Sequence, residues 1–193
     1  MASLSVFVLC IGAILYASSM ENRRLSVDPK SYEPLLELIA SVESRGNYNA
    51  HFGNAGNDSV KFTQMTIEEV LNWQAEFVRQ GNPSSAVGRY QFIDSTLAGL
   101  VRRLGIDTKQ KFDEATQDRL AIALLERRGA QSYINGEITR EQFAANLAME
   151  WAALPRMTGS DPNASYYAGD GLNRSHVTSE QILAAIKPIR SIE

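Results

Sequence analysis

The sequence predicts an α+β domain that is mainly helical, and two patterns support this fold class. Apolar residues recur every three or four positions in several segments, and polar capping residues precede most of these segments. A single stretch, Ser59–Met65, alternates apolar and polar residues as a short strand or hairpin arm does. Because this small β segment follows the first helix and stands alone among helices, helix packing should dominate the core.

The first predicted helix carries the residue on which the functional hypothesis depends. Apolar residues repeat at helical spacing from Leu35 to Val42, and Gly46 ends the helix. Glu43 lies four residues after Ile39, on or beside the same apolar face. Burial and the negative end of the helix dipole both disfavour an ionised carboxyl, so the pKa of Glu43 should rise. A general acid needs such a pKa near neutral pH, although an ordinary surface glutamate remains the alternative.

The later segments follow the same local rules. Asn47–Asp58 is rich in glycine and asparagine, which favour turns, and Gly81–Gly88 is a loop of small residues that leads into Arg89–Phe92. The remaining helices are each predicted from an apolar stripe that follows a polar residue or a loop. We expect them to begin near Thr66, Ile93, Asp113, Thr139 and Thr178.

The chain is expected to divide into an N-terminal leader and one folded domain. Leu4–Met20 contains no charged residue, which is typical of an export signal or a weak membrane anchor. A polar segment with Pro29 follows, so residues 1–30 are predicted to be this signal or anchor plus a linker. The domain then spans residues 31–193. We therefore expect an exported or periplasmic protein, either released or held at the inner membrane through residues 4–20.

Composition argues against several functional classes. A net charge of −3 and a pI near 5.5 give no basic surface for nucleic acid. Cys10 is the only cysteine and falls in the apolar leader, so the folded part can form neither a disulfide nor a cysteine metal site. His51 and His176 are not at metal-ligand spacing. We expect no metal, no cofactor, no nucleic-acid partner and a monomeric protein.

The residues that remain suit the recognition of sugars. Motifs of nucleotide-binding proteins, zinc proteases and serine hydrolases do not occur in the sequence. The chain offers instead one carboxylate beside the core, glycine-rich loops, and aromatic and amide side chains. Aromatic surfaces and amide hydrogen bonds are what a cleft for a carbohydrate uses.

Several ordered motifs resemble those of a known family. VESRGNYNA resembles the Glu-Ser motif of lysozyme-like lytic transglycosylases, and the other motifs are similar in order and spacing to the phage lambda endolysin family and related phage-type muramidases. The resemblance implies a lysozyme-like fold and cleavage of the MurNAc–GlcNAc β-1,4 bond of peptidoglycan, with release of a 1,6-anhydro sugar. The motifs are VESRGNYNA (42–50), SSAVGRYQF (84–92), FDEATQDRLA to ERRGA (112–130), MEWAALP (149–155) and YYAGDGLNRS (166–175).

The resemblance also implies roles for individual residues in the first two motifs. Glu43 takes the catalytic position, and Ser44 beside it is a substrate-binding candidate. Tyr90 and Gln91 match the Arg-Tyr-Gln element of the family and are expected in the cleft, although Tyr90 equally suits a core position.

The last two motifs supply two further substrate-binding candidates. Trp151 lies in MEWAALP, and Tyr167 lies in the C-terminal motif. The spacing of Trp151 from Leu147 also suits a core position in a helix.

The chemistry leaves two enzymatic readings open. Hydrolases of this kind normally use two carboxylates, and Asp58 is the nearby acid that could serve beside Glu43 in a muramidase that admits water. Asp58 also reads as a turn residue that bonds its own backbone. With Glu43 alone, the 6-hydroxyl of the sugar would replace water and the enzyme would be a transglycosylase. A non-catalytic peptidoglycan-binding module is the remaining alternative.

Overall fold

A computed structural model describes residues 27–171 and 173–190 of the chain. The predicted export signal or anchor at residues 4–20 lies outside this range and stays a prediction. Within the described part, no helix is both long and apolar enough to cross a membrane. The helices are α1 (Glu33–Glu43), α2 (Ile67–Arg79), α3 (Asp94–Leu104), α4 (Glu114–Arg127), α5 (Ala130–Ile134), α6 (Arg140–Ala148) and α7 (Ser179–Ile186), with 3₁₀ turns at Pro29–Tyr32 and Phe62–Gln64.

The predicted starts of the helices are confirmed, because their signals are local. Thr66 caps α2, Thr139 caps α6 and Thr178 caps α7, each in a reciprocal capping box with the residue three positions on. Asp113 accepts a hydrogen bond from the backbone of Thr116 and caps α4. The domain is mainly helical, as the sequence predicts.

The β contribution after α1 is smaller than an ordinary strand. Ser59–Met65 does not form a strand, and its centre is the 3₁₀ turn Phe62–Gln64. The reason is the buried amide of Asn57, which accepts hydrogen bonds from the backbone of Ser59 and Val60 and donates to the carbonyl of Val60 at 2.8 Å. A side chain that satisfies these backbone groups removes the need for a strand partner. The β structure in this region consists of isolated bridges, His51 with Asn54 and Val87 among them.

Helix α1 crosses the centre of the domain. Leu35 and Ile39 on α1 are fully buried, and α1 packs against α7, which in turn packs against α6. Burial of such side chains contributes roughly 1.5–3 kcal/mol each, so the apolar face of α1 is anchored along its length. The helix ends where predicted, with the amide of Gly46 donating to the carbonyl of Ala40 at 3.0 Å.

The packed part of the chain includes residues that we predicted to be linker. Val27 is buried, and the amide of Asp28 donates to the carbonyl of Arg190 at 2.9 Å. The side chains of the same two residues also form an ion pair at 3.2 Å. Val27 and Asp28 therefore pack with the domain, and the domain boundary near residue 31 stays a prediction.

Candidate active site

An open cleft of about 560 Å³ lies at the C-terminal end of α1. Its lining comes from Glu43, residues 52–53, the loop 83–93, residues 150–152, and the C-terminal residues Tyr167 and Asn173. The cleft therefore brings together segments from four of the five sequence motifs. A concave site with aromatic and polar walls is the usual form of a small-molecule or glycan site.

Glu43 is the last residue of α1 and reaches this cleft. Its Oε1 atom is buried and has no hydrogen-bond partner. Burial raises the pKa of Glu43 to about 7, and the backbone amide of Ala153 acts in the opposite direction with a smaller effect. Because the carboxyl lies at the end of an anchored helix, its position is fixed by the core rather than by a flexible loop.

A carboxyl with a pKa near neutral pH can both donate a proton and accept one. It keeps its proton long enough to donate it, and the resulting carboxylate can take a proton back. Burial of an unpaired carboxyl also destabilises a fold, so such a group is typical of a functional site rather than of a structural one. The chemistry available at Glu43 is general acid–base catalysis.

Ser44 is not exposed to the cleft, so its burial does not support the expected substrate-binding role, which stays a prediction. Its side chain has 0% exposure, and its hydroxyl donates to the carbonyl of Arg89 at 2.7 Å. The cause is the turn at the end of α1, which directs Glu43 to the cleft and the next residue into the core. Ser44 instead fixes the end of α1 against the loop that begins at Gly88.

Tyr90 occupies the core position that the sequence left open. It is buried, and its hydroxyl donates to Asp118 on α4 at 2.7 Å. Tyr48 donates to the same carboxylate at 3.0 Å and accepts a hydrogen bond from Arg89. The ring of Tyr90 is thus held by protein groups, so its side chain supports the cleft wall and is not free to bind a sugar. Tyr48 and Asp118 are structural residues that sequence reasoning did not single out.

Gln91 lines the cleft, and its expected role in binding the substrate stays a prediction. Its backbone φ of +50° is uncommon for a residue other than glycine, and its side-chain amide donates to the carbonyl of Gly88 at 2.8 Å. Such local strain persists only where surrounding contacts impose it, and it is frequent at functional sites.

Gly88 at the start of this loop admits no side chain. Its φ is +80°, and a Cβ atom would lie 2.4 Å from Oε1 of Gln117. That oxygen accepts a hydrogen bond of 2.8 Å from the amide of Arg89, while the amide nitrogen of Gln117 donates to the carbonyl of Tyr48. Gln117, which lies on α4, therefore fixes the backbone at Arg89 and with it the position of Gln91.

Trp151 and Tyr167 both line the cleft but differ in exposure. Trp151 is buried, and its indole nitrogen donates to the carbonyl of Tyr90 at 3.1 Å, which joins the two walls of the cleft. Tyr167 is 41% exposed, and its hydroxyl donates to the carbonyl of Met149 at 2.8 Å. An exposed ring fixed by its hydroxyl is suited to stacking on a sugar ring, so Tyr167 is the better placed of the two to contact substrate.

The second carboxylate of the cleft is Glu150 and not Asp58. Asp58 is exposed and does not line the cleft. Glu150 does line it, with a side-chain exposure of 6%, and pairs with Arg127 at 2.6 Å and with Arg128 at 2.8 Å. The two arginines lie in the ERRGA motif and Glu150 lies in the MEWAALP motif. Because more than twenty residues separate the partners, their pairing leaves no local signal in the sequence.

The described part of the chain contains no cluster of side chains that could bind a metal ion. Among residues 27–171 and 173–190, no group of three or more histidine, cysteine, aspartate or glutamate side chains could hold a metal ion. The residues that meet in the cleft are instead a buried carboxyl, an ion-paired carboxylate, amides and aromatic rings.

A buried carboxyl in an open, aromatic-walled cleft defines a candidate glycan-cleaving enzyme built on a mainly helical domain. The family model described as Endolysin matches residues 33–170, and the chain belongs to the endolysin family. The match begins at the first residue of α1 and includes Glu43 and Tyr167. The protein is thus a peptidoglycan-cleaving enzyme that acts on the cell wall, and the non-catalytic alternative is set aside.

Comparison with individual proteins adds one solved structure. The chain is similar to bacteriophage lambda lysozyme complexed with a chitohexasaccharide, with 20% sequence identity and a TM-score of 0.48. The similarity covers 81% of this chain and 92% of that chain. No curated protein sequence matches the chain significantly.

Proposed function

We propose that this enzyme is a lytic transglycosylase that cleaves the MurNAc–GlcNAc β-1,4 bond of peptidoglycan and forms 1,6-anhydro-MurNAc ends. Glu43 acts first as general acid and then as general base. The observation that carries the proposal is the buried, unpaired carboxyl oxygen of Glu43 at the cleft. An oxygen without a protein partner is available to a glycosidic oxygen, and a pKa of about 7 suits both proton transfers.

A transglycosylase is favoured because, among residues 27–171 and 173–190, the cleft offers no other free carboxylate for the second role. Asp58 does not line the cleft. Glu150 is paired with two guanidinium groups, which occupy both of its oxygens. Oxygens engaged in these ion pairs are not free to attack the sugar or a water molecule. Among the described residues, this cleft therefore has no free second carboxylate for direct hydrolysis.

The reaction needs only one acid–base group. Glu43 donates its proton to the glycosidic oxygen as the C1–O bond breaks, and the acetamido group of the MurNAc can stabilise the positive charge that develops at C1. The 6-hydroxyl oxygen of the same sugar then bonds to C1, and its proton returns to Glu43. The carboxyl is restored, one glycosidic bond is exchanged for another, and no water is consumed.

The runner-up is a muramidase that admits water. The cleft is open, so a water molecule can reach the bond that breaks. In that case Glu43 would activate the water in the second step, and the product would carry a reducing end.

Digestion of purified sacculi followed by mass spectrometry tests the choice. Transglycosylase products are lighter than hydrolase products by one water and resist reduction by borohydride. Asp58→Asn should change the rate by no more than about two- to threefold, since Asp58 is exposed and does not line the cleft. Reducing muropeptides as the main product would overturn the transglycosylase assignment, and a large loss in the Asp58 variant would restore Asp58 as a catalytic candidate.

A further inference from the structure

A second chamber of about 230 Å³ adjoins the catalytic cleft. The two share lining residues, among them Gln91, Glu150 and Tyr167. The chamber has less than half the volume of the cleft, so it suits a side branch of the substrate better than a further run of sugar rings.

The charged residues that line the chamber are Arg127, Arg128 and Glu150. Two cations face one anion, so the chamber carries a local net charge of +1, whereas the whole chain carries −3. An excess positive charge beside a partly enclosed space favours an anionic group of the ligand.

The two arginines differ in how fully their donors are used. Arg128 bonds Glu150 through Nε and the carbonyl of Met149 through Nη2, at 2.8 and 3.1 Å. Arg127 uses only Nη2, which bonds both oxygens of Glu150 at 2.6 and 2.8 Å. Within the described part of the chain, Nε and Nη1 of Arg127 donate to no other group, and its side chain is 37% exposed. Arg127 therefore has donors to offer a ligand, and Glu150 fixes their orientation.

The peptidoglycan strand of the proposed function carries an acidic side branch. Each MurNAc bears a lactyl ether on O3, which ends in a carboxylate or continues into a peptide that contains carboxylates. With Nη2 of Arg127 engaged by Glu150, the Nε–H and Nη1–H groups point in different directions, and each can donate a charge-assisted hydrogen bond to a carboxylate oxygen.

We propose that Arg127, oriented by Glu150, binds a carboxylate carried on the O3 substituent of a MurNAc residue, so that the enzyme distinguishes peptidoglycan from glycans without this branch. The inference rests on the proposed function, because it places a MurNAc in the same cleft. Arg128 acts as a positioning residue that shares the charge of Glu150. Tyr167 and Gln91 lie where the branch leaves the cleft for the chamber.

Binding measurements with three glycans test the proposal. Calorimetry of the full chain, in its Glu43→Gln form to prevent turnover, compares peptide-bearing strands, strands freed of peptide that keep the lactyl carboxylate, and chitooligosaccharides, which have no carboxylate. Arg127→Gln should weaken binding of a carboxylate-bearing strand by about tenfold, the loss expected for a hydrogen bond to a charged group. Binding of chitooligosaccharides should not change.

Two further variants separate recognition from folding. Arg119→Gln removes an exposed arginine from the same helix and should change none of the three affinities. Arg127→Lys keeps the charge beside Glu150 but loses the fixed directions of the guanidinium donors, so it should fold normally and still lose part of the discrimination. A thermal unfolding curve for each variant identifies any that does not fold.

Each outcome decides the matter. A loss confined to peptide-free strands identifies the lactyl carboxylate as the ligand, and a loss confined to peptide-bearing strands identifies a carboxylate of the peptide. No change on either strand, or an equal loss on all three glycans, overturns the proposal. Failure of the proposed function would appear separately, as reducing products or as an active Glu43→Gln variant.

Discussion

The hydroxyl of Ser44 donates a hydrogen bond of 2.7 Å to the carbonyl of Arg89, forty-five residues away. This contact joins the residue after Glu43 to the loop that carries Gln91. The two sides of the candidate site are therefore joined by a partly buried hydrogen bond, whose donor Ser44 has no exposed surface. A small displacement of one side relative to the other would alter the geometry at Glu43, on which proton transfer depends.

Ser44→Ala should lower kcat while leaving KM nearly unchanged. The variant leaves the carbonyl of Arg89 without this partner and should destabilise the fold by roughly 1 kcal/mol or more. No substrate contact is removed, so binding should persist. Steady-state kinetics on soluble glycan strands measure both constants. Ser41→Ala, which changes an exposed serine on the same helix, is the control, and a raised KM in the Ser44 variant alone would indicate a substrate contact instead.

Glu43→Gln should abolish most activity without unfolding the domain. The amide keeps the shape of the side chain but cannot donate or accept the proton, so turnover should fall by about 10²–10⁴-fold. Turbidity of a sacculus suspension measures the rate, and circular dichroism checks the fold. Glu33→Gln, at the exposed start of the same helix, should keep full activity. Near-normal lysis by the Glu43 variant would remove this residue from the catalytic role.

The raised pKa of Glu43 should make the domain lose stability as the pH rises. In the unfolded chain this carboxyl releases its proton near its ordinary value of 4.5, but in the fold it does so near 7. Between these values the folded state binds more protons than the unfolded state, so the free energy of unfolding falls with increasing pH. The penalty is absent below about 4.5 and complete above about 7.

Denaturant titrations from pH 4 to 8 measure this effect. Glu43→Gln carries no titrating group at this position, so its stability should fall less steeply across the same range. Parallel curves for the two proteins would mean that the Glu43 carboxyl is not buried in solution. The rate of cleavage by the unmodified enzyme should also fall above pH 7, as the acid form is lost.

Tyr167→Ala should raise KM by roughly 3- to 10-fold, with a smaller effect on kcat, because it removes an exposed ring from the cleft. Tyr167→Phe keeps the ring and loses only the hydrogen bond to Met149. Its KM should therefore lie between the KM of the unmodified enzyme and that of Tyr167→Ala. Tyr166→Ala provides a matched control, since Tyr166 is exposed beside it but does not line the cleft. Equal effects of the two alanine variants on KM would show that Tyr167 has no special contact with the glycan.

What the sequence could predict follows from how far each signal extends along the chain. The capping boxes at Thr66, Thr139 and Thr178 act within four residues, so the helix starts were predictable. Glu43 was predictable for the same reason, because its place beside the apolar face follows from helical spacing. The strand at Ser59–Met65 failed because the amide of Asn57 competes for the backbone, and alternation of residues carries no information about that.

The remaining site residues depend on contacts between distant segments. Ser44 and Tyr90 carry side chains that suit a cleft equally well, and only their partners at Arg89 and Asp118 decide that they face the interior. Glu150 could not be recognised as the second carboxylate of the cleft, because its pairing with Arg127 requires α4 and the segment after α6 to meet. The direction of the side chains at the turn after α1 and the pairing of distant residues could thus not be predicted from the sequence.

The close fit of Gly88 against Gln117 restricts the order in which this loop can change in evolution. Any side chain at position 88 meets both a positive φ and the oxygen of Gln117, so no single substitution there is neutral. Shortening Gln117 first would relieve the overlap but would leave the amide of Arg89 without its partner. The two positions are therefore expected to be epistatic, and a library that varies one of them should also vary the other.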